Sequence, residues 1–275
     1  MSHTLDNEMK KTVWTLPALA GVLIGTLNGA LAAETYRWPN GERAAVSLAY
    51  DDAADSQLDN AIPTLNRYGV KGTFYLTLSS PTIDSRLAEW RAAARQGHEL
   101  ANHTLFHQCR SAQPDRGWVV PHRDLDTTSV AQMKDQVALA NTMLYAIDGR
   151  RERTFTAPCG DVLAGGQNYL PAVQAEFVAI KAGIGHGAVP SMAALDPYLV
   201  PVVIPVGLTG QQLIAMVKEA AGRGTMIAFT FHGIGGDHLA NSSAAHEELV
   251  KYLAANRKVY WTDTFLNIMK HVKSR

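Results

Sequence analysis

From residue 44 onward, short apolar runs alternate with stretches whose apolar residues recur every three or four positions. That alternation predicts repeated β-α units on a mainly parallel sheet. The run 44–50 reads as a strand that delivers Asp51 and Asp52 at its carboxyl end. Residues 55–68 follow with helical spacing at Leu58, Ile62 and Leu65, closed by Gly69. Residues 71–78 predict the next strand, and 86–96 a helix that stops at Gly97. A short strand at 99–102 leads into His103-Thr-Leu-Phe-His107. Further strands are expected at 154–156, 177–180 and 226–231, and helices at 129–146, 209–223 and 244–255.

Ahead of this pattern lies a different one. Lys10 and Lys11 precede an apolar stretch over 13–27, and Ala30-Leu31-Ala32 then offers small residues where signal peptidase reads. Residues 1–32 are therefore expected to be a cleaved secretory signal, with the mature chain starting near Ala33 and residing in the periplasm. The alternative is a retained anchor, although the run is shorter than the roughly 20 residues needed to span a bilayer. The polar residues before Met9 suit translation that begins at Met9 instead of Met1. No later segment is long and apolar enough to cross a membrane.

Composition narrows the picture further. A chain of 275 residues with 47% hydrophobic content suits one large domain over 33–275. Lys plus Arg equals Asp plus Glu at 25 each, so no basic field exists to attract a phosphate backbone, and nucleic acid is not an expected partner. The two cysteines, Cys109 and Cys159, each lie within two residues of a chemistry-bearing motif. Export permits a bridge between them that ties two loops together; two separate thiols are the alternative.

The candidate chemistry collects at predicted strand ends. Asp51 and Asp52, His103 and His107, the segment 158–161, and His232 each follow a strand directly, which is where α/β folds gather reactive groups. One carboxylate and two imidazoles can hold a divalent metal with positions left open for water and substrate, and a second carboxylate beside them can serve as a base. The i,i+4 spacing of His103 and His107 aims both rings the same way on a helix. Taken singly, an Asp-Asp pair is more often a solvated loop or helix cap.

Tyr50-Asp51-Asp52, His103-Thr-Leu-Phe-His107, Ala157-Pro158-Cys159-Gly160 and Phe229-Thr-Phe-His232 together resemble the polysaccharide deacetylases of carbohydrate esterase family 4, the NodB-homology domain. The resemblance runs from about residue 44 to the C-terminus. It implies a single-domain α/β fold, a distorted (β/α) barrel of seven strands. It puts the metal, expected to be zinc, on Asp52, His103 and His107, the general base on Asp51 and the general acid on His232. The Cys159 N–H, after Pro158, falls where the family's oxyanion donor stands. The implied activity is removal of N-acetyl groups from an amino-sugar glycan with release of acetate. An amide hydrolase or O-acetyl esterase on a smaller substrate, and an inactive carbohydrate-binding homologue, are the alternatives.

Departures from the pattern matter as much as the matches. The family's third motif opens with an arginine that orients the base, and here Thr156 stands at that position. Arg123 is the first candidate to replace it, with Arg153 behind it. The fourth motif is absent, and Asp161 or Asp196 is a weak substitute for tuning a histidine. Trp118 is a candidate sugar-stacking platform. His122 and His186 have no assigned role. Gly233, Gly235 and Gly236 are expected to let a loop turn close to the metal, and His246 is expected to be structural within a helix capped by Ser242.

Overall fold

The computed structural model describes residues 36–275, so the expected signal segment 1–32 lies outside the described residues. Ten strands run in chain order: β1 (Ala44–Asp51), β2 (Thr73–Leu76), β3 (Glu99–Asn102), β4 (Thr154–Thr156), β5 (Leu163–Ala164), β6 (Gln167–Asn168), β7 (Ala179–Ile184), β8 (Val200–Val202), β9 (Met226–Phe231) and β10 (Tyr260–Thr262). The helices are α1 (Ile62–Arg67), entered through a π-wound turn at Gln57–Ala61, α2 (Pro81–Ser85), α3 (Leu87–Arg95), α4 (Val130–Asp148), α5 (Leu170–Val173), α6 (Gly210–Arg223), α7 (Ser243–Ala255) and α8 (Phe265–Lys273). No helix among the described residues is long and apolar enough to cross a membrane.

β1 is buried along its whole length because it has neighbours on both edges and packing on both faces. β9 pairs with it over six residues on one edge, while β10 pairs with its start and β2 with its end on the other. The order then continues through β3, β4, β7 and β8, all parallel. A single bridge between Val203 and Phe229 joins β8 back to β9. The result is the expected seven-stranded parallel barrel, with β10 as an outer addition and β5–β6 as a separate small antiparallel pair.

The period-two alternation of strands sorts side chains between two environments. Val46, Leu48 and Tyr50 of β1 pack outward in the core beneath α6 and α7, with Leu213, Val217, Leu249 and Leu253. Ala45 and Ala49 point the other way, into a barrel interior shared with Tyr75, Ala101, Ala179, Val200, Met226 and Ala228. Small alanines on that inner face leave room for polar groups near the carboxyl ends of the strands. Asp51, Thr156, Lys181 and Thr230 occupy that room and are all buried.

Helix ends follow the sequence rules. Ser129 and Gln132 form a capping box on α4, and Thr209 and Gln212 form another on α6, while Gly149 and Gly224 close these helices at φ 72°. Ser242 caps α7 by accepting from the Ala245 N–H. The strand expected at 177–180 instead spans Ala179–Ile184, so it continues past Lys181. β8, β10 and α8 were not expected from the pattern. β8 contains Pro201, which removes a ladder donor and disguises the strand.

Candidate active site

Parallel strands place every candidate motif at one rim. Asp51 is the last residue of β1, and Asp52 and Ala53 follow in the left-handed region at φ 82° and 55°. This turn bends the chain sharply and points two adjacent carboxylates in different directions. His103 follows β3 directly, but the segment to His107 is not helical. Thr104 and His107 are left-handed at φ 66° and 51°. Asn102 Oδ1 accepts from the Thr104 N–H at 2.8 Å, and Thr104 Oγ1 accepts from the His107 N–H at 3.0 Å. The two imidazoles therefore meet through a braced loop, and the helical-face explanation of their spacing is corrected.

His103 Nε2 and His107 Nε2 lie 3.2 and 3.0 Å from Asp52 Oδ1. That oxygen is buried and accepts no hydrogen bond. Tetrahedral ligand atoms about 2.1 Å from a zinc-sized ion lie about 3.4 Å from one another, and ligand atoms of all three residues here lie within 4.8 Å of each other, so the group could hold a divalent metal. The Thr156 carbonyl can only accept, so His103 Nδ1, at 3.0 Å from it, carries the proton and leaves Nε2 free as a ligand. Asp52 Oδ2 is engaged separately by the N–H of His238 Nε2 at 2.7 Å. Burial would raise the Asp52 carboxyl, but the imidazoles of His103, His107 and His238 outweigh it and hold it well below the usual carboxylate range.

The acid and base candidates flank this cluster. His232, after β9, has Nε2 at 3.9 Å from Asp52 Oδ2, while its buried Nδ1 has no partner. Burial pulls its imidazole below the ordinary value, against the attraction of Asp51 and Asp52. Asp51 is buried, with Oδ2 at 4.0 Å from His103 Nε2 and Oδ1 at 3.1 Å from Lys181 Nζ. Asp51, Asp52, His103, His107, Lys181 and His232 all line one cavity of about 330 Å³. Trp118, Cys159, Ile184, Val202, Ile204 and Leu239 complete much of its wall.

The profile of the polysaccharide deacetylase family matches residues 34–175, more than half of the chain. The chain belongs to the polysaccharide deacetylase family. Among solved structures with the family's fold, a peptidoglycan deacetylase from Bacillus subtilis is 17% identical with a TM-score of 0.54, covering 86% of this chain and 94% of that one. The carbohydrate esterase domain of a multidomain xylanase from the hindgut metagenome of Trinervitermes trinervoides is 18% identical with a TM-score of 0.54, covering 85% and 92%. A mutant of a family pseudoenzyme is 15% identical with a TM-score of 0.53, covering 85% and 70%. In sequence, 128 residues are 27% identical to a gellan lyase from Bacillus sp, 46% of this chain but only 4% of that much longer protein. At these identities the structures show the shared fold, and a pseudoenzyme shares it too.

Several deacetylase site expectations are corrected. Arg153 spends its guanidinium at the opposite end of the barrel, on Asp148 at 2.7 and 2.6 Å and on the carbonyls of Leu100 and Arg150. Arg123 stacks over Phe106 at 5.8 Å on the outside of the histidine loop. The cation that touches Asp51 is Lys181, missed because it sits inside a strand that was expected to end at Ile180. Asp196 caps its own turn through the Tyr198 N–H. Asp161 accepts from the Arg110 N–H at 2.9 Å and from Arg116 at 3.4 Å and touches no histidine. His122 and His186 are exposed, and neither lines the cavity that holds Asp52, His103 and His107.

Cys109 and Cys159 are bridged, with Cα atoms 5.9 Å apart, so the disulfide ties the histidine loop to the third-motif loop. Cys159 and Gly160 are left-handed at φ 58° and 70°, in a tight turn opened by Pro158. Trp118 is 58% exposed at the cavity rim, with the Arg116 guanidinium 5.7 Å over its ring. His246 is fully buried against Tyr50 Oη at 2.6 Å, a packing partner under β1 and outside the cavity. His238 was the other omission. A Cβ on Gly233 would meet Gly236 O at 1.9 Å, so only glycine permits the loop that carries His238 back to Asp52.

Proposed function

We propose that this deacetylase-family chain is a metal-dependent N-deacetylase, acting after export on N-acetylated amino sugars of an oligo- or polysaccharide. The observation that carries the reading is the convergence of Asp52 Oδ1, His103 Nε2 and His107 Nε2 in a cavity that also holds Asp51 and His232. A divalent cation held there, zinc by preference of the donor set, would supply Lewis acidity toward water and the scissile carbonyl.

The chain's own groups account for the proton movements. Asp51 Oδ2 accepts a proton from the attacking water, whose oxygen bonds to the acetyl carbon. His232 Nε2 donates a proton to the amide nitrogen as the C–N bond breaks, releasing acetate and the free amine. Burial pulls His232 below its ordinary value while Asp51 and Asp52 attract its protonated form, so the imidazolium is a strong proton donor to the leaving group but the minor form at neutral pH. The Cys159 N–H is the oxyanion donor in this reading, on a turn fixed by the disulfide. Trp118 offers an aromatic face to a pyranose ring at the rim.

The test is acetate release from chitooligosaccharides, peptidoglycan fragments and simple acetyl esters, together with metal analysis of the purified protein. One divalent ion per chain and release from an N-acetylated glycan are expected. Asp51→Asn should lower turnover by about 100-fold or more with the metal retained, whereas His103→Ala should lose both. A chain that holds no stoichiometric metal, and whose stability a chelator leaves unchanged, would contradict the reading at its first step. Hydrolysis of acetyl esters alone would reassign it as an esterase.

A further inference from the structure

Asp51 is a buried carboxylate with one lysine against it. Lys181 stands on the inner face of β7 and is the register partner of Thr156 on β4, the position where the family resemblance implies an arginine. Its ammonium has three N–H groups and three neighbours: Asp51 Oδ1 at 3.1 Å, Thr230 Oγ1 at 2.9 Å and the face of the Tyr75 ring at 4.0 Å from Nζ. The side chain is fully enclosed, so every one of these neighbours replaces water. Glu99, deeper in the interior, is satisfied by Thr73, Thr154 and the Leu266 N–H and does not contact Lys181.

The arrangement leaves the two oxygens of Asp51 in different states. An arginine fork would engage both, whereas an ammonium behaves as a point charge and takes one. Lys181 takes Oδ1. Oδ2 faces His103 Nε2 at 4.0 Å and the metal side of the cavity. An apolar residue would fill the same space without burying a charge, so packing alone gives no reason for a lysine here.

We propose that Lys181 is the positioning residue for the general base: it fixes Asp51 through Oδ1, leaves Oδ2 as the proton acceptor, and supplies from β7 the cation that Thr156 lacks on β4. The proposal rests on the hydrolase reading above. It concerns how the base is held and not which glycan is cleaved.

The experiment compares wild type, Lys181→Met, and the relocated pair Thr156→Arg/Lys181→Met on a substrate that the wild type hydrolyses, with metal stoichiometry and thermal unfolding measured alongside. Lys181→Met should keep its metal and its KM but lose about 100-fold or more in kcat, since the loss falls on the base. The relocated pair should recover about tenfold or more of that loss, because the charge returns to Asp51 from the neighbouring strand. Such recovery is not expected of a residue that merely fills the barrel. Folded Lys181→Met with wild-type kcat overturns the proposal and leaves the hydrolase reading intact. A wild type that releases nothing from any substrate overturns both. Should Lys181→Met fail to fold, the relocated pair decides: activity near wild type supports the role, and a relocated pair without activity, folded or not, overturns it.

Discussion

Asp52 shows most clearly how much one residue's surroundings decide. Its Oδ1 faces the imidazoles of His103 and His107, and its Oδ2 is held by His238. Holding one carboxylate oxygen fixes the other as a single, directed ligand. His238→Ala is therefore expected to weaken divalent-metal binding by about 10- to 100-fold, measured by titration calorimetry with zinc, while His238→Gln retains part of the affinity through its amide N–H. Affinity equal to wild type in the alanine variant would mean that the His238 contact is incidental. Asp51, Asp52, His103, His107 and His232 were all visible in the sequence because each ends or follows an apolar run. Lys181 and His238 were not. Lys181 lies within a strand whose inner face looks like any other buried position until the register is known, and His238 reaches Asp52 only by way of a loop with left-handed residues on either side, Asp237 and Leu239.

At the scale of elements, the loops after β3 and β4 act as one unit because a covalent bond joins them. The bridge closes a span of 50 residues, and its removal in Cys109→Ser/Cys159→Ser should cost about 2–4 kcal/mol of stability in urea unfolding. Metal affinity should fall as well, because Cys109 is two residues from His107; an unchanged affinity would show that the histidine loop holds itself. The loop carrying His238 has a second constraint. Gly233→Ala would force its Cβ onto Gly236 O, so we expect a loss of roughly 1–3 kcal/mol and metal binding like that of His238→Ala. The strands and helices that the pattern revealed are those with long, uninterrupted periodicity, such as β1, β9, α4 and α6. β8 was hidden by Pro201. α8 does carry a legible stripe, Phe265, Ile268 and Met269, with Thr264 as its cap, and was simply short.

The whole molecule inherits an acid sensitivity from histidines that have nothing to do with the cavity. Burial pushes His98 and His246 each down to about 4. The folded state thus keeps them neutral, while the unfolded chain takes up protons once the pH falls below the ordinary value near 6.5. Their neutral forms favour the fold fully above that value, and the advantage is lost between about pH 6.5 and 4, on the order of 3 kcal/mol for each. Urea midpoints at pH 7 and 4.5 should show the decline. His246→Gln should flatten it, and an unchanged slope in that variant would remove His246 from the account. The barrel's closure has a mechanical consequence of its own. Five of its seven seams pair two or more residues, whereas β3 meets β4 through Asn102 and Phe155 alone and β8 meets β9 through Val203 alone, which donates to Ala228 O at 2.9 Å and accepts from the Thr230 N–H at 2.8 Å. Thr230 is also the hydroxyl that steadies Lys181. The thin β8–β9 seam borders the cleft, so the Val203 and Thr230 amides should be among the first of the barrel to exchange with deuterium, and a ligand wedged against that wall should slow them.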